Sequence, residues 1–117
     1  MSFPATLDFK YYIGDTYTMV LSPENSDGSS FNLDGYSSAF VIATERATVP
    51  NWSVDGSVTI DNNNITCTIN PSVGLQLEDG KQYFYDIEIR STSGGIENVH
   101  TLLRGEISAV VGVNRSA

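Results

Sequence analysis

Asp86 and Glu88 stand two residues apart in the stretch Tyr83-Phe84-Tyr85-Asp86-Ile87-Glu88-Ile89. In an extended chain, residues i and i+2 project from the same face. The spacing therefore predicts two neighbouring carboxyls, the pair that glycoside hydrolysis uses as acid and base or as acid and nucleophile. Arg90 continues the same face as a charge partner. With no further group to support catalysis, the pair reads as a solvated strand face. His100 is the only histidine, and it falls on the polar parity of the last apolar-alternating segment. Nucleophilic catalysis needs a nucleophile beside an oriented base, and the sequence sets none beside it, so His100 reads as a surface or groove residue. Cys67 is the only cysteine, which excludes an intrachain disulfide and leaves a zinc site short of ligands. In Ile65-Thr66-Cys67-Thr68-Ile69 it shares a parity with two isoleucines and reads as a small buried hydrophobe. No glycine-rich phosphate loop, HExxH or CxxC occurs. The chain is expected not to be an enzyme.

Oxygen donors suited to calcium gather in Asn25-Ser26-Asp27-Gly28 and Asp61-Asn62-Asn63-Asn64. Neither carries the full EF-hand ligand series, and Asn and Asp are ordinary turn formers. The expectation is no metal and no cofactor. Trp52, in a loop beside Pro50, is the candidate contact for a partner protein or a glycan, with Tyr12, Tyr36 and Phe84 as further outward aromatics. Packing over the end of the domain is the competing use of Trp52.

Composition narrows the partners. Fourteen acidic against six basic side chains give a formal net charge of −8, which argues against a phosphate backbone as ligand. The opening MSFPATLDF lacks a basic segment followed by an apolar run, so no signal peptide is expected. No apolar run approaches the ~18 residues of a membrane span, and no membrane partner is expected. At 117 residues the chain is expected to be a complete single domain, 1–117, with an N-terminal arm 1–6 and a C-terminal tail 114–117.

The residues above must be positioned by strands. Leu7, Phe9, Tyr11 and Ile13 alternate with polar residues, and Gly14-Asp15 ends that run. Tyr17, Met19 and Leu21 form a second alternating run, stopped by Pro23. Residues 23–35 are turn chemistry with Phe31 and Leu33 as anchors. A third strand spans Tyr36–Arg46, and residues 47–56 read as an irregular link. Val58 and Ile60, a turn at Asn62-Asn63, and Ile65, Cys67 and Ile69 read as a hairpin. A single helical turn is the only helix candidate, near Pro71–Gln76. After Ile89, Ser91–Gly95 read as a turn. A last strand covers about Val99–Val113, with Gly105 as a bulge or a close backbone approach.

Leu75–Ile89 organises the rest. Leu77-x-x-Gly80-x-x-Tyr83 leads into a strand whose Tyr83, Tyr85, Ile87 and Ile89 share one face. Such a turn resembles the tyrosine corner of immunoglobulin-like domains, in which the hydroxyl bonds back to nearby backbone. The expected fold is all-β: an antiparallel Ig-like β-sandwich of about seven strands.

Three stretches together resemble a family of small β-sandwich domains in tailed-bacteriophage virions, including the N-terminal region of phage baseplate upper proteins. The first is Gly14-Asp15-Thr16, then Asp27-Gly28, then Leu33-Asp34-Gly35 with the strand after it. The second is Leu77, Gly80, Tyr83, Tyr85 and Asp86. The third is Thr101-Leu102-Leu103-Arg104-Gly105, closed by Val113-Asn114-Arg115. They span Gly14 to Arg115. The chain departs from the family pattern in having two residues between Gly80 and Tyr83, and Asn114 in place of Thr. The resemblance implies a non-enzymatic structural protein of a phage virion, either a capsid decoration or cement subunit or a tail or baseplate component. Such a subunit would dock in symmetric copies on larger virion proteins through its loops and N-terminal arm. A carbohydrate-binding module for host adhesion is the alternative, with Trp52 at its centre.

Overall fold

The computed structural model describes residues 5–111; the tail 114–117, the Val113-Asn114-Arg115 ending and the first four residues of the expected arm lie outside them. Among the described residues nine strands and one helical turn follow in order: β1 Ala5–Thr6, β2 Phe9–Tyr12, β3 Tyr17–Leu21, β4 Ser37–Ala43, β5 Ser53–Asp55, β6 Ser57–Asp61, β7 Asn64–Ile69, α1 Pro71–Gly74, β8 Gln82–Ser93 and β9 Ile96–Val110. One sheet runs β1–β9–β8–β4–β5, with β2 also against β9, and the other runs β3–β7–β6. The fold is all-β. Among the described residues no helix is long and apolar enough to cross a membrane.

The larger sheet is mixed, which corrects the expectation of a purely antiparallel fold, while the smaller sheet is antiparallel throughout. β1 and β2 run parallel to β9. A hairpin after β2 would have laid the next strand antiparallel beside it. Instead Gly14, at φ 91°, and an Asp15 N–H to Tyr12 carbonyl bond turn the chain across to the second sheet, where β3 pairs with β7.

The expected arm 1–6 also needs correction, because Ala5 and Thr6 are strand, opposite Leu103 and Arg104. β1 and β2 keep one register along β9, with Phe9 opposite Ile107. Between them the Leu7 N–H donates to the Arg104 carbonyl at 3.0 Å. The Asp8 carboxylate then accepts the Glu106 N–H at 2.9 Å, standing in for a backbone acceptor.

Alternation does most of the remaining work. Ile65, Cys67 and Ile69 from β7 and Tyr83, Tyr85, Ile87 and Ile89 from β8 bury their side chains in one apolar cluster between the sheets, joined by Met19, Phe40, Ile42 and Ile107. Asn62 takes φ 56° in the two-residue turn between β6 and β7, a conformation Asn tolerates well.

Alternation breaks within β9. Ile87 faces Leu103 but Glu88 faces Thr101, leaving Leu102 as an extra residue. That bulge lets two successive leucines, Leu102 and Leu103, both enter the core. Gly105 is thus the close approach, not the bulge: a Cβ there would collide with the Leu7 carbonyl.

Several strand limits also differ from expectation, and the last strand runs Ile96–Val110 rather than from Val99. β4 stops at Ala43 rather than Arg46, and the link 47–56 contains β5, paired with the end of β4. Ser91–Ser93 are strand, so the last turn is only Gly94-Gly95, both at positive φ.

Candidate functional site

Two constellations gather the residues that the sequence singles out. The first is the outer face of the larger sheet. Val41, Asp86 and Arg104 lie in register across β4, β8 and β9, as do Ala43, Phe84 and Glu106. The segment after β4 borders this face and makes a groove of about 960 Å³, lined by Arg46, Thr48, Pro50, Phe84, Asp86, Glu88, Thr101 and Arg104 among others.

Asp86 and Glu88 both open on this groove, yet each is held by its own guanidinium. Arg46 Nη1 lies 3.0 Å from Asp86 Oδ1, its Nη2 donates to the Gly105 carbonyl at 2.9 Å, and its guanidinium carbon sits 5.0 Å from the Phe84 ring centroid. Arg90 pairs with Glu88 at 2.6 Å and with Glu97 at 3.3 Å. Both glutamates raise the Arg90 pKa further, Glu88 first through its hydrogen bond. The arrangement braces strands against one another. Arg46 was not singled out in the sequence, because it sits in a loop 40 residues from Asp86 and follows no spacing that could have found it.

The second constellation surrounds the Leu7 carbonyl and draws in the residues of the resemblance. Tyr85 donates its hydroxyl to that carbonyl at 2.6 Å. Gly105, directly opposite Tyr85, leaves room for the same carbonyl. Asp86 reaches Gly105 through Arg46. Leu103 is buried opposite Ile87. Burial of Tyr85, the largest cause, raises its phenol pKa well above the usual range. At the other end of β2, Gly14 and Asp15 form the turn into β3, and Tyr11 donates to the Asp15 carbonyl at 2.6 Å.

Leu77, Gly80 and Tyr83 serve the corner before β8. The Glu78 N–H donates to the Tyr83 hydroxyl at 2.9 Å. Gly80, at φ 78°, donates its N–H to the Ala109 carbonyl at 2.8 Å, while the Ala109 N–H donates to Lys81. Leu77 is buried in the core. All three core tyrosines, Tyr11, Tyr83 and Tyr85, have their hydroxyls hydrogen-bonded, as buried polar groups require.

The other candidates are scattered. Trp52 is half-buried against Tyr83, their ring centroids 5.6 Å apart, and it lines a cleft of about 340 Å³ with Gln76, Glu78 and Lys81. Lys81 pairs with Glu78 at 3.1 Å, which raises its pKa. His100 is half-buried beside the rings of Phe31 and Tyr36, at 6.1 and 6.3 Å. Cys67 is fully buried, and burial pushes its thiol up to about 11.

In the loop after β3, Asp27 accepts from the Ser29 hydroxyl and N–H, which lowers its pKa, and Asn25 donates to Ser29 and Ser30. These oxygens close the turn on itself. Asn64 Oδ1 accepts from Ser22 at 2.7 Å. Among the described residues no group of three or more His, Cys, Asp or Glu side chains is placed to hold a metal. No protein-family model matches the chain, and no curated protein matches it.

Proposed function

We propose that the protein is a non-enzymatic structural subunit of a bacteriophage virion, built as an Ig-like sandwich and acting by surface contact with larger capsid, tail or baseplate proteins. The observation that carries the reading is where the resemblance residues go. Gly14, Asp15, Tyr85, Leu103 and Gly105 serve a turn, hydrogen bonds and close packing beside β9, and Asp86 is ion-paired with Arg46. Support for the Ig-like topology comes from the orders β9–β8–β4 and β3–β7–β6, which follow the G-F-C and B-E-D orders of that fold. The corner at Leu77-x-x-Gly80-x-x-Tyr83, between β7 and β8, stands where a tyrosine corner stands. Function then rests on loops and exposed strand edges. Immunogold labelling of particles purified from cells carrying the gene tests this. Label at one repeated position on the particle is expected, and label found only on free protein would overturn the reading.

One observation favours a second reading, host-surface glycan binding. Trp52 borders a cleft whose other walls include the polar Gln76, Glu78 and Lys81, a pairing of aromatic face and polar groups suited to sugars. A glycan array tests it. Binding that survives Trp52→Ala removes Trp52 from the site, and no binding at all removes the reading.

A further inference from the structure

β3 is an edge of the smaller sheet, paired among the described residues with β7 alone. The turn at Asn62-Asn63 fixes which way its backbone groups point. A two-residue loop makes its flanking residues, Asp61 and Asn64, a hydrogen-bonded pair. Bonded and non-bonded pairs alternate along antiparallel strands. Ile65, Cys67 and Ile69 therefore turn their backbones to β3, where they face Leu21, Met19 and Tyr17. Thr18 and Val20, the residues between, aim their N–H and C=O groups away from β7. Among the described residues no backbone hydrogen bond beyond the β7 ladder involves either of them. Thr18 is exposed and Val20 is 60% exposed, so this part of the edge is open to solvent.

Soluble proteins blunt their sheet edges with charge, proline, a bulge or shortness. β5 has three residues and ends in Asp55, and β6 ends in Asp61. β3 has none of these devices. Its five residues, Tyr17–Leu21, include no charge and no proline, and their register with β7 is unbroken. The outer face beside it is uncharged too, since Thr18 and Val20 stand in register with Thr68 and Thr66. Copies of a chain of net charge −8 repel over most of their surface. An uncharged edge is where they can meet.

We propose that two copies of the chain pair antiparallel through β3, about a two-fold axis at Met19. This register sets Thr18 opposite the partner's Val20, and Val20 opposite the partner's Thr18. Each of these pairs exchanges two backbone hydrogen bonds. All the outward N–H and C=O groups of Thr18 and Val20 are then satisfied on both copies. That self-match, together with the absence of charge, fits the edge to a second copy. β-branched side chains meet across the outer face, where cross-strand pairs stabilise a sheet. The two small sheets become one of six strands, and the contact, being isologous, closes at a dimer. One five-residue strand is small beside the ~800 Å² per partner of a standard interface. The contact is weak in free solution and is strengthened by a scaffold that concentrates the copies. The inference stands apart from the virion reading, since a chain that dimerises in isolation satisfies it whatever particle it belongs to.

Sedimentation equilibrium of the full chain up to about 1 mM tests the contact. Mass is expected to rise with concentration towards twice that of one chain and to stop there. Hydrogen exchange of the wild type reads the register: the Thr18 and Val20 amides are expected to slow as the dimer forms, while Met19 is unchanged. Two double variants test the pairing itself, each with unchanged circular dichroism. Thr18→Glu with Val20→Glu sets like charges opposite one another and is expected to stay monomeric. Thr18→Lys with Val20→Glu sets opposite charges face to face and is expected to dimerise. A wild type that stays monomeric throughout overturns the proposal, as does one whose mass passes that of a dimer. So does a dimer in which the Thr18 and Val20 amides exchange as fast as in the monomer, which would mean another surface or another protein's strand at this edge. A double-glutamate variant that dimerises like the wild type, or a lysine–glutamate variant that does not dimerise, overturns it equally.

Discussion

The hydroxyl of Tyr85 and the carbonyl of Leu7 meet at 2.6 Å across 78 residues of sequence. Gly105 stands opposite Tyr85 on β9 and leaves the space that the same carbonyl occupies. One backbone oxygen thus joins the N-terminal strand to both long strands of the larger sheet. Tyr85→Phe should cost about 1–2 kcal/mol, the loss of one hydrogen bond to a partly buried acceptor. Gly105→Ala should cost at least as much, because a backbone atom must move. Hydrogen exchange checks the locality: β1 and β2 should lose protection in both variants while β7 keeps it.

Gly74 gives a second steric test. Its missing Cβ is replaced by the Tyr11 hydroxyl, which would collide with any side chain there. Gly74→Ala should destabilise by about 1–3 kcal/mol, read from urea denaturation midpoints. Tyr11→Phe in the same chain should recover only part of it, since the ring carbon beneath the hydroxyl is close as well.

The ion pairs on the outer face should matter little. Asp86 and Arg46 are 50% and 30% exposed, and exposed pairs typically contribute under about 1 kcal/mol. Asp86→Asn and Glu88→Gln should each shift stability by no more than that, measured by chemical denaturation. A far larger loss would mark these carboxylates as something other than strand braces.

Alkaline pH should destabilise the fold in a defined window. Burial moves the Cys67 thiol from its ordinary 9.0 up to about 11, and Tyr85 is raised as well. Between those values the unfolded chain has released the thiol proton and the folded chain retains it, so the unfolded state binds fewer protons and stability falls as pH rises. The contribution is intact below 9.0 and is lost progressively up to about 11, by roughly 2 kcal/mol. Cys67→Val should flatten part of this slope. Thiol reagents should label the native protein only as fast as it unfolds.

What the sequence disclosed was its alternation. Tyr83, Tyr85, Ile87 and Ile89 point to one core, as do Ile65, Cys67 and Ile69, because period two is written directly into residue order. The Asn62 turn was legible for the same local reason. What escaped depends on pairing across long separations. Nothing near Ala5 or Phe9 announces a parallel partner in β9, and Leu102 looks like any strand residue until Leu103 is also seen to be buried. Gly105 was visible as unusual, but whether it bulged or made room depended on where Leu7 goes. The outer face was half legible. Asp86, Glu88 and Arg90 share a parity, whereas Arg46 reaches Asp86 from a loop that carries no periodicity.

The central claim is that this chain is a building block of a particle. Quantitative mass spectrometry of density-gradient-purified particles from cells carrying the gene tests it most directly. The account predicts that the chain bands with intact particles at a fixed ratio to one capsid or tail protein, unchanged across the peak and through a salt wash. A chain that remains with the soluble proteins at the top of the gradient would contradict it.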